Sequence, residues 1–523
     1  MAPTLEDLTL VEQRLNLTIK PEQRDDYLAL ITATDNAAKA VMDMPVDFAP
    51  LVDYGRFPRT DIYILANEIN PRRGWAYKAT VRGAPEGLLK GKTICLKDNI
   101  CLAGVPCQFG TDVVKDFIPE VDATIVSRVL ENGGTILGKA TCENMSHGAA
   151  SFTSPNGPVQ NPYADGFSAG GSSSGCGTLI GKGEVDMGLG GDQGGSVRIP
   201  AAFCGVVGLK ATFGLVPYTG VLSSERSLDH VGPMAATVKD AALLLQAVAG
   251  YDGLDDRQLG APSYDNLPLY IPTSHDLSGL RIGILTEGFT SVHMSPEVEQ
   301  VVRSAIAKFK DLGAEIKEVS VPTHSQGGSL MHVINKMGSH QTRQGRAVGA
   351  RGLCVNGFLE KLLPWEQSKW DEVHSFVQGT SVSGEYAFQH YPTVYGRAMN
   401  IMRRVKADYD KALSEVDVLA MPTVPFTARR HVESGAGPLA CVEKCAGTVI
   451  NTATFNGTGH PALAFPVGFG SPTKEDVLTP EDNAIRLPIS MQIVGRMWED
   501  AMCIKVAAAW EDTWNWKTGQ RKI

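Results

Sequence analysis

The chain has no apolar run long enough to cross a membrane. Its longest nearly apolar stretch, around Ala241 to Ala249, falls far short of the ~20 residues a membrane helix needs. It also lacks a basic excess. Lys and Arg number 48 against 57 Asp and Glu, for a net charge of −9. That balance argues against a broad nucleic-acid footprint, which needs dense Lys and Arg. The start, Met1-Ala2-Pro3-Thr4-Leu5-Glu6-Asp7, has neither the basic residues nor the apolar core of a secretory signal, and Gln520-Arg521-Lys522-Ile523 is no retention or peroxisomal address. Paired cysteines are missing too. The ten are scattered singly, and Cys441 and Cys445 have no second pair and no knuckle-spaced histidine, since His431 and His460 are misplaced for one. The expectation is a cytoplasmic protein with reduced thiols, no metal and no cofactor, and with neither nucleic acid nor membrane as a partner. No fixed-period repeat is present. What remains is a globular composition, 43% hydrophobic and 20% charged over 523 residues, enough for a large core.

Two regions differ in texture. Residues 1–75 are rich in Leu, Ala and acidic residues and poor in glycine. Helical spacing at Tyr27, Leu28 and Ile31, then the turn-rich Ile69-Asn70-Pro71-Arg72-Arg73-Gly74, predict a helical extension and a linker. Residues 76–523 read as one catalytic-sized domain of alternating strands and helices. Strands are expected at Thr93 to Leu96, Thr135 to Gly138, Arg281 to Leu285, Ala314 to Val321, Val418 to Pro422 and Leu487 to Val494. Asp122 is the expected cap of a helix stopped by Gly133-Gly134, Thr237 opens a helix ended by Gly250, and Ser295-Pro296 opens one ended by Gly313. The alternation predicts an α/β fold: a large twisted mixed β-sheet flanked by helices on both faces, with an α-helical N-terminal extension. Residues 325–400 are less regular and are a candidate lid or cap over a cleft.

Chemistry concentrates in two glycine–serine clusters and one lysine. Gly170-Gly171-Ser172-Ser173-Ser174-Gly175 has the composition of a flexible linker and fails the phosphate-loop pattern, with Cys176 and Gly183 at the deciding positions. Beside it, Gly166-Phe167-Ser168-Ala169-Gly170 fits a nucleophile elbow. Its flank, Asn161-Pro162-Tyr163-Ala164-Asp165, is turn chemistry where that elbow needs a strand, so Ser168 reads as structural. Gly190-Gly191-Asp192-Gln193-Gly194-Gly195-Ser196 follows a candidate strand. It can be an ordinary strand-to-helix turn, or a nest of N–H groups holding an oxyanion near the Ser196 hydroxyl. Lys97 sits in the apolar run Thr93-Ile94-Cys95-Leu96-Lys97-Asp98. A buried ammonium must pair, with Asp98 for example, or lose its proton and become a base. A serine hydroxyl needs such a base to act as a nucleophile.

Together, Lys97-Asp98-Asn99-Ile100, Gly171-Ser172-Ser173, Gly194-Gly195-Ser196-Val197-Arg198-Ile199-Pro200-Ala201 and Phe203-Cys204-Gly205-Val206-Val207-Gly208-Leu209-Lys210 resemble the amidase signature family of serine hydrolases, from about residue 76 to 510. The resemblance implies a Ser–cisSer–Lys triad. Ser196 is then the nucleophile that carries an acyl-enzyme, Ser172 the bridge on a cis bond after Gly171, and Lys97 the base. It implies an oxyanion hole from the N–H groups of Gln193, Gly194, Gly195 and Ser196. Asp192 and Met145 are expected at the substrate, although the plainer role of Asp192 is a loop-fixing ion pair with Arg198. Cys176, His147 and His230 are expected to be structural. The sequence departs from many relatives at Lys210-Ala211-Thr212, where they carry a proline; no catalytic consequence is expected. The branch it resembles contains stand-alone small-amide amidases and yeast urethanase-type enzymes. It implies a homodimer acting on a small amide or a carbamate such as ethyl carbamate. The alternatives are one component of an amidotransferase complex that delivers ammonia, a non-catalytic scaffold, and an esterase using Ser168.

Overall fold

The structure, a computed structural model, describes residues 2–45 and 52–522, and the chain divides into two compact units at residue 52. The first contains helices α1 (Leu5–Leu15) and α2 (Arg24–Met42). Thr4 caps α1, accepting from Asp7 N at 3.3 Å while Asp7 accepts from Thr4 N at 2.8 Å. Glu12 ties the two helices, accepting from Ile19 N and from Arg24 Nη1, each at 2.6 Å.

The second unit is built on a mixed sheet of 12 strands. In chain order these are β1 (Arg59–Tyr63), β2 (Trp75–Val81), β3 (Thr93–Lys97), β4 (Thr135–Ala140), β5 (Met187–Asp192), β6 (Val207–Lys210), β7 (His230–Ala235), β8 (Arg281–Leu285), β9 (Glu315–Val319), β10 (Val418–Pro422), β11 (Ala462–Gly470) and β12 (Leu487–Gly495). Across the sheet they run β1-β2-β4-β3-β5-β7-β6-β11-β12-β10-β8-β9. The β4–β3–β5 and β10–β8–β9 pairings are parallel, and the others antiparallel. β1 falls inside the stretch assigned to the extension, yet it is the edge strand of this sheet.

Alternation along β3 creates the two layers. Ile94 and Leu96 join the large core with α3 (Thr124–Glu131), whereas Cys95 joins a second core with Cys176, Leu179 and Ile180 of α4 (Ser174–Gly181). α5 (Arg198–Cys204) packs with α4, and α6 (Val238–Val248) with α3. Thr237, expected as the first residue of the helix, is instead the cap of α6, accepting from Asp240 N at 3.1 Å. Asp122 does not cap α3; Ala123 holds that position. The Asp122 carboxylate pairs instead with the Arg59 guanidinium and accepts from Ala103 N at 2.8 Å, a better use for a buried charge. α7 (Pro296–Ala307) tightens into a 3₁₀ turn over Lys308–Leu312 before Gly313.

The stretch read as irregular is largely helical: α8 (Gly327–Arg343), α9 (Gly357–Leu362), α10 (Gln367–Glu372), α11 (Ser375–His390) and the start of α12 (Val394–Glu415). Glycine lowers the helix propensity of α8 and α11, but the two pack against each other, and α8 also against α12. No helix among the described residues is long and apolar enough to cross a membrane.

Candidate active site

Lys97 closes β3 and is fully buried. Its Nζ donates to Ser172 Oγ at 2.7 Å and to Gly191 O at 3.1 Å. Asp98 faces away from it. It lies 3.4 Å from Lys139 Nζ and accepts from Gln108 N and Gly110 N at 3.1 and 3.4 Å. Lys97 therefore does not pair with Asp98, and among the described residues it has no ion-pair partner. Burial pushes its ammonium below the usual lysine range, against the pull of the Asp192 and Asp229 carboxylates and of neighbouring thiols.

The peptide between Gly171 and Ser172 is cis. Only glycine fits before it, because a Cβ on Gly171 would lie 2.3 Å from Ala150 O. The three serines then divide their work. Ser172 O accepts from Glu143 N at 3.0 Å. Ser173 Oγ is 3.2 Å from both Gly191 O, to which it donates, and Gly191 N, from which it accepts. Ser174 Oγ donates to Glu143 Oε1 at 2.7 Å. Sequence reasoning misses Glu143, since no motif ties position 143 to 172 or 174. Burial raises its carboxyl to about 7, although Thr153 and Ser174 donate to it.

The loop after β5 is held by Asp192. Its carboxylate accepts from Gly195 N at 2.6 Å, Val197 N at 3.2 Å, Arg198 Nε and Nη2 at 3.0 and 3.1 Å, and Asn456 Nδ2 at 2.9 Å. Burial opposes its ionisation, but the Arg198 guanidinium and these donors outweigh it and keep the carboxyl well below its usual range. Asp192 is thus a loop brace with both carboxylate oxygens occupied, and Arg198 is its ion-pair partner. Arg198 completes the frame, donating to Thr452 O, Gln492 Oε1 and Asn456 Oδ1 at 2.8–2.9 Å. Arg198→Met is expected to destabilise the protein by about 3–5 kcal/mol, the usual consequence of stranding one member of a buried pair, measured as the loss in urea unfolding free energy.

Gly195 has φ of 132°, and a Cβ there would meet Thr452 Oγ1 at 2.4 Å. Thr452 Oγ1 donates to Gly194 O at 2.7 Å, fixing the loop from the other side. Of the four expected oxyanion donors, the Gly195 N–H is consumed by Asp192. Among the described residues, the N–H groups of Gln193, Gly194 and Ser196 have no acceptor. Ser196 O accepts from Ser173 N at 3.2 Å, which joins the two serine clusters. Ser196 is 9% exposed, whereas Lys97 and Ser172 are at 0%, so of the three only Ser196 is open to a ligand.

A cavity of about 200 Å³ approaches this loop through Tyr218; Lys97, Ser172 and residues 193–196 are not in its lining. Met145 and Tyr218 are in its wall, and Gln193 Nε2 donates to Tyr218 OH at 3.3 Å. Met145 has φ of 46° and Ser146 of 58°, a strained pair of left-handed residues that turns the chain along the wall. Thr342, Arg343 and Phe358, from α8 and α9, also line the cavity. Ser168 is elsewhere in its chemistry: buried, its Oγ accepts from Ser151 N and Gly170 N at 3.1 and 3.0 Å, and no histidine among the described residues bonds it. Cys176 is buried against Leu189 O. His147 Nδ1 lies 2.8 Å from Met145 O, and His230 Nδ1 2.8 Å from Leu228 O.

Known proteins resemble this chain in sequence and fold. A family model described as Amidase matches residues 64–504. The chain is 37% identical over 453 residues to an enantioselective amidase of Rhodococcus rhodochrous, covering 84% of this chain and 83% of that protein. It is 33% identical over 439 residues to a glutamyl-tRNA(Gln) amidotransferase subunit of Cyanothece sp., covering 83% and 86%. A solved structure of the corresponding glutamyl-tRNA(Gln) amidotransferase subunit from Thermotoga maritima superposes with a TM-score of 0.65 at 26% identity, covering 82% of this chain and 84% of that one.

Proposed function

We propose that this chain, which belongs to the amidase family, hydrolyses small linear amides through Ser196, with Ser172 and Lys97 as its proton relay. Family membership makes it an amide hydrolase. The observation that carries the finer reading is the buried 2.7 Å contact between Lys97 Nζ and Ser172 Oγ, made by a lysine without a carboxylate.

In this reading the neutral Lys97 amine accepts the Ser172 proton as Ser172 accepts that of Ser196. Ser196 Oγ attacks the amide carbon, and the carbonyl oxygen takes the negative charge. The free N–H groups of Gln193, Gly194 and Ser196 are the donors available for it; one such donor is typically worth about 2.7–4 kcal/mol of barrier. The relay returns its proton to the leaving nitrogen, and the C–N bond breaks. Ammonia leaves, and an acyl ester remains on Ser196. Water, deprotonated by the same relay, attacks the ester and releases the acid. With ethyl carbamate the acid released is a carbonate half-ester, and the final products are ammonia, carbon dioxide and ethanol. The helices over 325–400 act as a cap, a reading supported by the cavity walls they supply. A homodimer is the assembly proposed.

The similarity to amidotransferase components supports a second reading, in which the chain delivers ammonia to a partner. Ammonia release separates the two. The purified chain, given acetamide, benzamide, hexanamide and ethyl carbamate, is expected to turn over at least one of them without any partner. Release only from glutamine, and only in the presence of a partner, favours the second.

A further inference from the structure

Three arginines border the cavity, and only two are neutralised. Arg226 pairs with Asp256, and Arg257 with Asp255 at 2.8 Å. Arg343, in the last turn of α8, is 5% exposed and makes no ion pair among the described residues. Its Nη1 reaches His147 Nε2 at 3.3 Å and its Nη2 reaches Ser381 Oγ at 3.4 Å, both long, and its Nε has no partner. His147 is no counter-ion. Its Nδ1 side is bound to Met145 O and burial keeps the ring neutral, so it can only accept.

The neighbourhood deepens the imbalance. Lys336 and His340 share α8 with Arg343. Lys336 Nζ donates to Thr380 Oγ1 at 2.9 Å, and His340 Nε2 lies 2.8 Å from Glu385. That acid, partly exposed, is spent on His340, and Glu225, which packs against α8 at Gly338, accepts from Ser227 and Tyr395. Burial, with no acid in reach, lowers the Arg343 guanidinium to about 9, still cationic at neutral pH. Other buried arginines look different: Arg198 has an acid and three further acceptors, and Arg128, without an acid, donates to four backbone carbonyls. An unmatched buried guanidinium is costly, and its planar fork fits a carboxylate better than any other common group.

We propose that the preferred substrate is an amide that also carries a carboxylate, which Arg343 receives in the wall of the cavity. This inference rests on the hydrolase reading above and names its substrate class: monoamides of dicarboxylic acids or related amides with an acid at the far end.

Calorimetry on Ser196→Ala tests it without turnover. The ω-carboxy amides from succinamate to adipamate are titrated against alkanamides of matched length, with methyl in place of carboxylate. At least one ω-carboxy amide is expected to bind about tenfold or more tightly than its match, the usual scale for a charge-assisted contact. Adding Arg343→Gln is expected to bring that ratio close to one, and Arg343→Lys to restore part of it. If the Gln variant does not fold, Arg343→Met, closer in its apolar stem, takes its place. Equal binding of acid and neutral amides, or a preference that survives loss of the guanidinium, overturns the inference. Ammonia release by the unmodified chain keeps the two readings apart. Turnover of neutral amides with no acid preference removes this inference and leaves the hydrolase reading standing. Acid amides bound through Arg343 but never hydrolysed do the reverse.

Discussion

Ser196→Ala is expected to lower kcat on a small primary amide by about 10⁴-fold or more, the scale seen when a nucleophile is removed from a unit whose parts act together. The substitution removes one oxygen from a side chain that is 9% exposed, and leaves the Asp192–Arg198 brace and the Thr452–Gly194 contact intact. Its unfolding midpoint should therefore match that of the parent. Ser168→Ala is the contrasting variant. Ser168 Oγ accepts from two backbone N–H groups, Ser151 at 3.1 Å and Gly170 at 3.0 Å. Its loss strands buried donors, at a stability cost of about 1–3 kcal/mol, while kcat stays within a few-fold. Urea unfolding and ammonia release on the two variants give opposite patterns if Ser196 is the nucleophile. Loss of activity in Ser168→Ala with retention in Ser196→Ala reverses the assignment.

Lys97→Met is expected to be nearly as damaging to turnover, by several orders of magnitude, because no other base touches Ser172 Oγ among the described residues. Methionine keeps most of the apolar stem, so the core around β3 stays filled. The pH behaviour gives an independent reading. Burial lowers the Lys97 pKa, so the amine becomes neutral at a lower pH than an exposed lysine does. The acid limb of kcat/KM should therefore have its midpoint below the usual lysine range, with activity rising as pH rises through it. The sign for stability is the same. A depressed pKa contributes stability that is present at high pH and lost as pH falls through the folded value. The parent should thus lose stability on acidification by more than Lys97→Met does. A variant with near-normal kcat at neutral pH eliminates lysine as the base.

The parts of this molecule that were readable in the sequence are those in which one local signal decides. β3, β4, β8 and α6 have clean apolar periods, and each has a glycine within two residues of one end: Gly91, Gly134, Gly279 and Gly250. Strands with contradictory local signals were not readable. β7 contains Gly232-Pro233, normally a turn; it survives because β6 pairs only with Met234 and Ala235, so Pro233 needs to satisfy one neighbour only. β11 contains Pro466 at a shift of register against β12. β1 is an exposed polar edge with no period to detect.

The site divides the same way. Lys97, Ser172 and Ser196 lie in distinctive glycine–serine or apolar contexts. Glu143, Thr452, Asn456, Gln492 and Arg343 do not, and only the folded chain brings them to the loop or the cavity. Asp192 illustrates the limit of motif reading: its loop-fixing pair with Arg198 was legible, but the further bonds it accepts from Asn456, Gly195 and Val197 were not.

The central claim is that one hydroxyl becomes acylated and that it is the one on Ser196. Intact-protein mass spectrometry on enzyme quenched during turnover of a slow amide such as benzamide tests it directly, followed by peptide mapping of the adduct. The account predicts an acyl adduct on the peptide containing Ser196, absent from Ser196→Ala. An adduct on Ser168 or Cys176 contradicts it.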